Sequence, residues 1–531
     1  MLALQAALAH AHAGDQIWLA QGTYKPVAPG GLPTIPFTLL SDVQILGGFA
    51  GTETAPEQRP PGQTSILSGD INNGASPHAA RILAGTSLST GTLLDSLTIT
   101  GSTGSSGVDA FHNYGGGLAL LNSSPTIRRC VFRGNVNSTR GGGAAVLNGS
   151  ATFEDCTFDG NTSSFGYNLA SMGSSSTTVL RCRFIGDGNV TGGSVGIGIF
   201  SGPILASPND HPALTVEDTL FAMADTGFSC PTGMGIYALQ GTADVRRCDF
   251  LHNNTCGGGG GIAGEADLTV DRCRFIGNEG SADGGAALHA FSGHTTVTNS
   301  LFHAIDRDGF TTVYNGGTFR AVNCTFSYNG STSGFGGGGF HQVILTQRAG
   351  SSLENCIFWG NQSRGGTLAA VTSSPAPARF DRCLVQGWTG SLPGTASFAA
   401  DPRFVDADGP DNTVGTADDD LHLQPSSPAL DRANNNALAA TLDLDGLPRF
   451  RDVPAAPDLG LGTPPFADLG AYELQPPCAA DFNHDGFTDF FDYDAFVDAF
   501  EQGDIAADFN ADGFLDFFDY DAFVDAFEAG C

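Results

Sequence analysis

Two acidic stretches near the end of the sequence carry oxygen-bearing side chains at a spacing that suits a divalent cation. The first spans residues 481–492, and the second spans residues 508–519. In each, positions 1, 3, 5, 9 and 12 are Asp or Asn, position 7 offers a carbonyl, and position 6 is a glycine that permits a sharp turn. Ca²⁺ takes six or more oxygen ligands, so the two loops predict two calcium ions. The predicted ligands are Asp481, Asn483, Asp485, the Phe487 carbonyl, Asp489 and Asp492, and then Asp508, Asn510, Asp512, the Phe514 carbonyl, Asp516 and Asp519.

A short amphipathic helix is predicted after each loop, because apolar residues recur there at the i, i+3, i+4, i+7 spacing. These residues are Tyr493, Phe496, Val497 and Phe500, and then Tyr520, Phe523, Val524 and Phe527. Loop positions 10 and 11 are phenylalanine in both copies, namely Phe490, Phe491, Phe517 and Phe518. These four side chains either pack a very small core or form an apolar patch that docks a partner.

This duplication of an EF-hand-like loop followed by a helix resembles a dockerin domain, of the type bracketed by Gly-Cys at the end of the chain. The resemblance implies a small all-α domain that binds two calcium ions and docks on a cohesin-like or other surface protein. Cys478 and Cys531 bracket the module, and they form either a disulfide that clasps its ends or two free thiols. Cellulosomal dockerins carry small hydroxyl residues at positions 10 and 11, so the Phe-Phe pairs here put a standard cohesin partner in doubt.

A sequence repeat of roughly 26 residues runs through the stretch from Tyr114 to Val385. Each copy holds a Gly-Gly-small-aliphatic run, a Thr-x-Val-like pair and a Cys-x-Phe element, separated by turn residues. Three short strands per repeat with no helical period predict an all-β fold, a right-handed parallel β-helix in which equivalent residues stack about 4.8 Å apart. The ladder cysteines are predicted to act as small buried apolar residues. They are Cys130, Cys156, Cys182, Cys248, Cys273, Cys324, Cys356 and Cys383.

The Phe-x-x-Asn and Gly-Gly elements resemble the paired motifs of polymorphic outer-membrane proteins and of bacterial surface β-helices. The start of the chain, an amphipathic helix followed by Gly14-Asp15 and the strand around Ile17, resembles the N-terminal cap of secreted bacterial β-helix proteins. Such proteins normally carry a signal peptide, and none is visible here, so we expect a truncated start and an extracellular or cell-surface location. The expected parts are a cap with the first coils (1–100), repeats (101–390), a C-terminal region (391–476) and the dockerin-like domain (477–531).

The region 391–476 looks like the closing module known as a choice-of-anchor region, and it is expected to cover the open end of the β-helix. Its motifs include Ser427-Pro428-Ala429-Leu430-Asp431 and Asp468-Leu469-Gly470-Ala471-Tyr472-Glu473. An acidic loop within it, 406–420, either binds Ca²⁺ through Asp406, Asp408 and Asp411 or is a solvated turn.

Composition excludes some partners. The net charge is −32 and Lys25 is the single lysine, so nucleic acid and anionic membranes are not expected as partners. No run of 18 apolar residues exists, so no membrane span is predicted.

Catalytic residues are sparse in the sequence. Parallel β-helices include pectin lyases and polygalacturonases, whose sites need clustered carboxylates and, for lyases, calcium and a base. The Gly-Gly strands here are nearly uncharged, and Glu265 and His289, expected on adjacent coils, are the candidate catalytic pair. The favoured function is therefore a non-catalytic, adhesive or carbohydrate-binding β-helix tethered by the calcium-dependent module. The alternatives are a polysaccharide lyase or glycoside hydrolase, and a passive spacer.

Overall fold

A computed structural model describes most of the chain. The described residues are 3–104, 114–188, 195–204, 209–225, 232–255, 258–280, 285–305, 311–330, 342–346, 349–362, 378–438, 440–475, 480–483 and 488–529. The predicted ligands Asp485 and Phe487 and both bracketing cysteines, Cys478 and Cys531, lie outside these residues.

Each turn of the chain contributes one strand to each of three parallel sheets, except the last two turns, whose described strands belong to the first and second sheets. Strands three apart in sequence pair with each other, so the chain winds as a coil, and parallel crossovers of this kind are right-handed. The stacked register is regular: Phe132, for example, lies opposite Ile99 on one side and Phe158 on the other. The all-β parallel β-helix expected from the repeats is confirmed.

Within the described residues, the first and second sheets have 13 strands each and the third has 11. The first sheet comprises Gln16–Ala20, Gln44–Phe49, Leu93–Asp95, Thr126–Arg128, Thr152–Glu154, Ser176–Leu180, Ala213–Glu217, Thr242–Arg246, Asp267–Asp271, His294–Thr298, Thr318–Val322, Ser352–Glu354 and Arg379–Asp381. The second comprises Gly22–Tyr24, Ser65–Ser68, Leu97–Thr100, Val131–Arg133, Thr157–Asp159, Arg183–Gly188, Leu220–Asp225, Asp249–Leu251, Arg274–Ile276, Leu301–His303, Thr325–Ser327, Ile357–Trp359 and Leu384–Val385. The third comprises Phe37–Thr38, Leu83–Thr86, Leu118–Leu121, Ala144–Leu147, Leu169–Met172, Ile199–Gly202, Ile236–Ala238, Ile262–Gly264, Gly285–Ala290, Thr311–Asn315 and Gln342–Thr346.

Stacked phenylalanines fill the interior behind the second sheet. Neighbouring rings, from Phe132 through Phe250 to Phe358, lie nearly parallel, with centroids 4.7 to 4.9 Å apart. The spacing is that of adjacent strands, so each coil buries its ring against the coils above and below.

The stacked cysteines lie at the turn between the first and second sheets, where they accept backbone hydrogen bonds. The eight described cysteines are free thiols and are buried, as predicted. The backbone N–H of Cys156 donates to Cys182 Sγ, and the N–H of Cys182 donates to Thr219 Oγ1 in the next coil. A thiol sulfur and a hydroxyl oxygen thus accept the same backbone hydrogen bond, which explains why Thr219 and Ser300 replace cysteine in two coils.

A buried asparagine ladder explains the Asn of the Phe-x-x-Asn motif. Asn253 Nδ2 donates to the carbonyl of Phe221 in the previous coil and to Asn278 Oδ1 in the next, at 3.0 and 2.9 Å. Asn278 Oδ1 also accepts from the backbone N–H of Asn253. The amides thus satisfy backbone groups at a corner that water does not reach.

The two ends of the coil are closed differently. The helix Ala3–Leu8 packs Leu4 and Leu8 into the core at the first coil. At the other end, Trp388 and Leu392 pack on the last interior residues, with Trp388 5.9 Å from the Phe380 ring.

The C-terminal region packs along the side of the second sheet, and not only over the end of the β-helix as expected. Leu301 and Ile357 point outward from that sheet, and each belongs to an apolar cluster formed with the C-terminal region. The buried guanidinium of Arg449 joins the two parts, because it donates to Asn299 Oδ1 and to the carbonyls of Gly470 and Ala471. A two-stranded antiparallel sheet, Phe404–Asp406 with Asp420–Leu423, lies within this region.

Two helices follow the acidic loops at the positions predicted. They span Phe490–Gln502 and Phe517–Ala529, and Phe496 and Phe523 stack between them at 4.0 Å. Short 3₁₀ turns occur at Pro56–Gln58, Asn435–Ala437 and Ile505–Ala507.

Candidate functional site

A groove of about 640 Å³ opens on the outer face of the first sheet, near the N-terminal end of the β-helix. Alternation along each strand decides what reaches it. Leu94 and Ile127 point into the core, so Asp95 and Arg128, the next residues along their strands, point outward. The irregular segment between the first coils adds Arg59 to the same groove.

Three arginines converge on one buried carboxylate at the base of the groove. Asp95 Oδ2 accepts from Arg59 at 3.2 Å, from Arg128 at 3.1 Å and from Arg129 at 2.5 Å. Asp95 Oδ1 accepts from Arg129 Nε at 2.9 Å and from the hydroxyl of Ser96 at 3.0 Å. The carboxylate therefore fixes the positions of three guanidinium groups at once.

This cluster carries a surplus of positive charge. Burial on its own would raise the pKa of Asp95, but the hydrogen bonds from Arg129 and Arg128 outweigh it and lower the pKa to about 2. The Asp95 side chain is 1% exposed, whereas those of Arg128 and Arg129 are 38% and 47% exposed. One negative charge is thus hidden while two guanidinium groups still face solvent.

Polar amides and a half-buried tryptophan complete the surroundings. Gln16 and Gln44 line the groove and bond to each other at 3.0 Å. Trp18 occupies the same outward row of the sheet as Asp95 and stacks on Phe49 at 4.8 Å. The hydrogen-bonding amides and the guanidinium groups together suit a ligand rich in hydroxyl and carboxylate groups.

Elsewhere along this edge, Arg181 and Arg247 are each neutralised by neighbouring carboxylates. Arg129 and Arg181 occupy equivalent corner positions with φ values of 51° and 50°. Arg181, however, bonds to Glu154 and to both oxygens of Asp155, so here one arginine faces two carboxylates. The groove is the place where several arginines share one acid.

This groove was not predicted from the sequence. The Arg-Arg pair before Cys130 was visible, but it reads as one more turn of the repeat. Arg59 belongs to an irregular segment with no counterpart in other coils, so no periodic pattern places it beside Asp95.

The candidate catalytic pair is close in the fold without being joined. His289 lies directly opposite Ala263, two residues before Glu265, on neighbouring strands of the third sheet. His289 is 7% exposed, and burial lowers its pKa to about 4. Its Nδ1 has no hydrogen-bond partner, and the exposed Glu265 makes no hydrogen bond to it within the described residues. His289 is therefore neutral at physiological pH, packed against Phe291 and Tyr314.

A chain of Ser, His and Asp contacts lies at the boundary between the repeats and the C-terminal region. His303 Nδ1 is 2.8 Å from Ser327 Oγ, and its Nε2 is 2.7 Å from Asp419 Oδ2. Ser327 and His303 are fully buried, so no substrate reaches this serine. Asp419 also accepts from the backbone N–H groups of Gly415 and Thr416, and the contact therefore anchors the acidic loop to the β-helix.

The second acidic loop folds back on itself through hydrogen bonds between its carboxylates and its own backbone. Asp519, at position 12, accepts from the N–H groups of Asn510 and Asp516 at 3.1 and 2.9 Å. Asp508, at position 1, accepts from the N–H groups of Asp512 and Gly513. The carboxylates at both ends of the loop thus turn toward its middle.

The described part of the first loop has the same arrangement. Asp492 accepts from the N–H groups of Asn483 and Asp489 at 3.1 and 2.8 Å. Asp489 also caps the following helix, because it accepts from the N–H of Phe491. In neither loop, among the described residues, do three carboxylates come within 4.8 Å of one another; the three that do lie in the C-terminal region.

The paired phenylalanines after the loops are exposed. Phe490, Phe491, Phe517 and Phe518 expose 67%, 68%, 67% and 71% of their surface, respectively. The small core is filled instead by Phe496, Phe523 and the loop residues Phe482 and Phe509, which meet them edge to face. Of the two interpretations of the Phe-Phe pairs, packing in this core does not hold.

Comparison with known proteins agrees with the fold. A family model described as a right handed beta helix region matches residues 204–358, which is less than half of the chain. No curated protein matches the sequence. No described helix is both long and apolar enough to span a bilayer.

Several solved structures of carbohydrate-active enzymes are similar to this chain. A pectate lyase, Pel9A, is 16% identical, with 89% of this chain and 90% of that chain covered and a TM-score of 0.37. A PL6 alginate lyase in complex with trisaccharide is 13% identical, with coverages of 75% and 81% and a TM-score of 0.35. The catalytic domain of a GH87 α-1,3-glucanase is 11% identical, with coverages of 73% and 63% and a TM-score of 0.34. Similarity this low does not transfer a substrate or a mechanism.

Proposed function

We propose that the chain is a non-catalytic, extracellular polysaccharide-binding β-helix that is tethered through a calcium-loaded, dockerin-like tail. The observation that carries the binding function is the convergence of Arg59, Arg128 and Arg129 on Asp95. In a chain with a net charge of −32, this is a built cluster of guanidinium groups on an open groove. Guanidinium groups that still face solvent attract carboxylates, so the proposed ligand is an acidic polysaccharide.

The groove supports binding better than bond cleavage. An acid catalyst must release a proton near the working pH, whereas Asp95, with a pKa of about 2, stays ionised. Arginine side chains do not act as acids in proteins, and the other carboxylate that lines the groove, Glu57, is exposed and lies on the irregular segment that carries Arg59. Fixed charges of this kind hold a ligand without exchanging protons with it.

Glycan affinity tests the proposal with a matched pair of variants. Polygalacturonate and alginate serve as acidic probes and a neutral glucan as the control, with binding measured by affinity electrophoresis of the full chain. Arg129→Gln should weaken binding of the acidic probes about tenfold or more, because it removes one positive charge from the groove. Arg181→Gln should leave binding unchanged, since Arg181 occupies the equivalent corner outside the groove. Equal binding by both variants would reject the groove, and no binding by the wild type would favour the spacer function.

For the tail, the proposal rests on two loops with the same spacing and, where both are described, the same fold-back bonds. A bound Ca²⁺ would offset mutual repulsion among the loop carboxylates and fix the start of each helix. Calcium counted by equilibrium dialysis of the full chain should fall by two ions in an Asp481→Asn/Asp508→Asn variant. An unchanged count would remove the dockerin-like assignment.

Docking is assigned to the four exposed phenylalanines at loop positions 10 and 11, Phe490, Phe491, Phe517 and Phe518. They lie at the start of two equivalent helices, and exposed aromatic side chains in pairs are typical of a protein interface. Phe491→Ser/Phe518→Ser should abolish capture of a partner on a panel of cohesin modules, while calcium binding is retained. A variant that still binds its partner would place the docking surface elsewhere.

A second candidate function, cleavage of the polysaccharide, is favoured by the unpartnered Nδ1 of His289. A neutral imidazole nitrogen can accept a proton, but burial lowers the pKa of His289 to about 4 and makes it a weak base; Glu265 follows the strand beside it. This function predicts release of unsaturated or reducing ends from an acidic polysaccharide, and loss of that release in Glu265→Ala and His289→Gln. Absence of product over a long incubation at high protein concentration would leave binding as the function.

A further inference from the structure

A buried aspartate in the C-terminal region has no hydrogen-bond partner on its side chain. Asp431 is 0% exposed, and neither of its carboxylate oxygens has a partner. Its backbone, by contrast, is satisfied: the N–H donates to Asp468 Oδ1 at 2.8 Å, and the carbonyl accepts from the N–H of Leu459 at 3.0 Å. A carboxylate taken out of water without compensation is strongly unfavourable, so this side chain calls for a ligand.

Two further carboxylates converge on Asp431. Oxygens of Asp431, Asp452 and Asp458 all lie within 4.8 Å of one another. Asp452 and Asp458 are exposed and stand at the two ends of a turn that is closed by a 2.7 Å bond from the N–H of Ala456 to the carbonyl of Val453. Val453 is buried in the apolar cluster of this region, so packing holds the turn in place. The trio is therefore positioned by the fold.

The described part of the chain supplies no ion pair to the trio. Among the described residues, none of the three aspartates forms an ion pair with an arginine, lysine or histidine. Two neighbouring arginines are engaged elsewhere: the guanidinium of Arg432 lies 4.5 Å above the Phe398 ring, and Arg382 donates to the carbonyls of Arg432 and Leu459.

The electrostatic consequence is visible at the buried member. Burial and the like charges of Asp452 and Asp458 raise the pKa of Asp431 to about 6. The nearby amide of Val453 opposes this shift without reaching hydrogen-bond geometry. At neutral pH the three carboxylates still repel one another, and a cation would remove that repulsion.

We propose that Asp431, Asp452 and Asp458 bind a calcium ion, separate from the two assigned to the tail. The three ligands are all carboxylate oxygens, which suit the hard Ca²⁺ ion and not the nitrogen- and sulfur-binding zinc. Two of them are exposed, so the ion has a path from solvent and room for water ligands.

The ion would fasten the turn 452–458 to the segment that docks the C-terminal region on the β-helix. Asp431 is joined through its N–H to Asp468, and the carbonyl of Asp468 accepts from Asn323 Nδ2 of the repeats at 2.9 Å. Calcium at this site would therefore stabilise the turn beside one of the contacts that attach the C-terminal region to the β-helix.

The test counts calcium bound to the full chain and compares exchange of backbone amides with and without calcium. An Asp452→Asn/Asp458→Asn variant should bind one ion fewer than the wild type, whatever number the tail binds. Asp408→Asn/Asp411→Asn, which removes the same charge from the neighbouring acidic loop, is the control and should bind as many ions as the wild type. Equal counts for the wild type and the Asp452/Asp458 variant, or a loss confined to the control, would overturn the proposal.

The second readout separates a metal ligand from a merely structural aspartate. At a calcium concentration about one hundred times Kd, amides in the peptide 449–460 should open about one hundredfold less often in the wild type. Asp431→Asn should lose this response, yet in EDTA it should exchange no faster than the wild type, because it removes an uncompensated buried charge. A calcium response retained in Asp431→Asn would overturn the assignment.

Discussion

Replacing Asp95 by asparagine should loosen the coils around the groove without changing their shape. Asparagine has nearly the same size as aspartate, but it carries no charge. It would leave Arg59, Arg128 and Arg129 around a neutral group, at distances set by a carboxylate. The variant therefore isolates the electrostatic contribution of one buried side chain.

The magnitude follows from the pKa. A fall from the ordinary value of 3.8 to about 2 corresponds to about 2.5 kcal/mol of stabilisation at neutral pH. Because the Asp95 side chain is 1% exposed, screening by solvent reduces this value little. The local opening equilibrium should thus rise about sixtyfold in Asp95→Asn.

Hydrogen exchange of the full chain, followed on peptides that cover 93–100 and 126–133, measures this opening locally. Global unfolding is a poor assay here, because a solenoid opens in parts. Asp159→Asn is the control: Asp159 pairs with Arg133 alone, and their side chains are 25% and 63% exposed, so the expected loss is below about 1 kcal/mol.

The pH dependence tests the sign of the contribution that the Asp95 carboxylate makes to stability. The folded pKa of Asp95 is depressed, so its contribution is present above the unfolded value near 4 and is lost as the pH falls through about 2. The difference between wild type and Asp95→Asn should therefore shrink over that window. Equal effects of Asp95→Asn and Asp159→Asn, or a difference that persists at the lowest pH, would refute the reasoning.

Three further substitutions test other parts of the fold. His422 has a pKa raised to about 9 by Asp445 and, further, by Asp420, so its stabilisation is full below pH 6.5 and is lost as the pH rises through about 9. Because His422 is 45% exposed, His422→Gln should cost only about 1 kcal/mol below pH 6.5 and nothing above pH 9, which thermal melts against pH would show. Asn278→Ala should cost about 2–3 kcal/mol, because it leaves the buried amide of its neighbour and a carbonyl unpaired. Faster hydrogen exchange that is confined to other coils would contradict this expectation. Phe250→Ala removes a ring stacked on both sides and should cost about 3–5 kcal/mol by denaturant titration, against less than about 1.5 for Phe250→Met.

The coil was predictable because each repeat states its own geometry. Alternation in Cys-x-Phe placed both side chains inward, and the ladder of rings from Phe132 to Phe358 follows from that alternation alone. The asparagine of each repeat was visible as a motif, but its role was not, because its partners are carbonyls in the neighbouring coil.

Neither the groove nor the acidic trio could be predicted from the sequence, and the physical reason is the same for both. Both form where non-repeating segments return to the coils: Arg59 to Asp95, and the turn 452–458 to Asp431. Periodicity cannot report contacts between residues that occur once. The acidic loop 406–420 was the more obvious calcium candidate, yet Asp406, Asp408 and Asp411 do not converge in the described structure as Asp431 and its neighbours do.

Labelling of the buried ladder cysteines can report where the β-helix begins to unfold. Thiol reagents attack the thiolate, and burial raises the pKa of thiols such as Cys156 and Cys324 well above the usual range, so an intact coil is silent to them. The thiols mark successive heights from Cys130 to Cys383, each in a peptide with its own mass. The order in which a small alkylating probe labels them would therefore record, coil by coil, the end from which the rod begins to unwind.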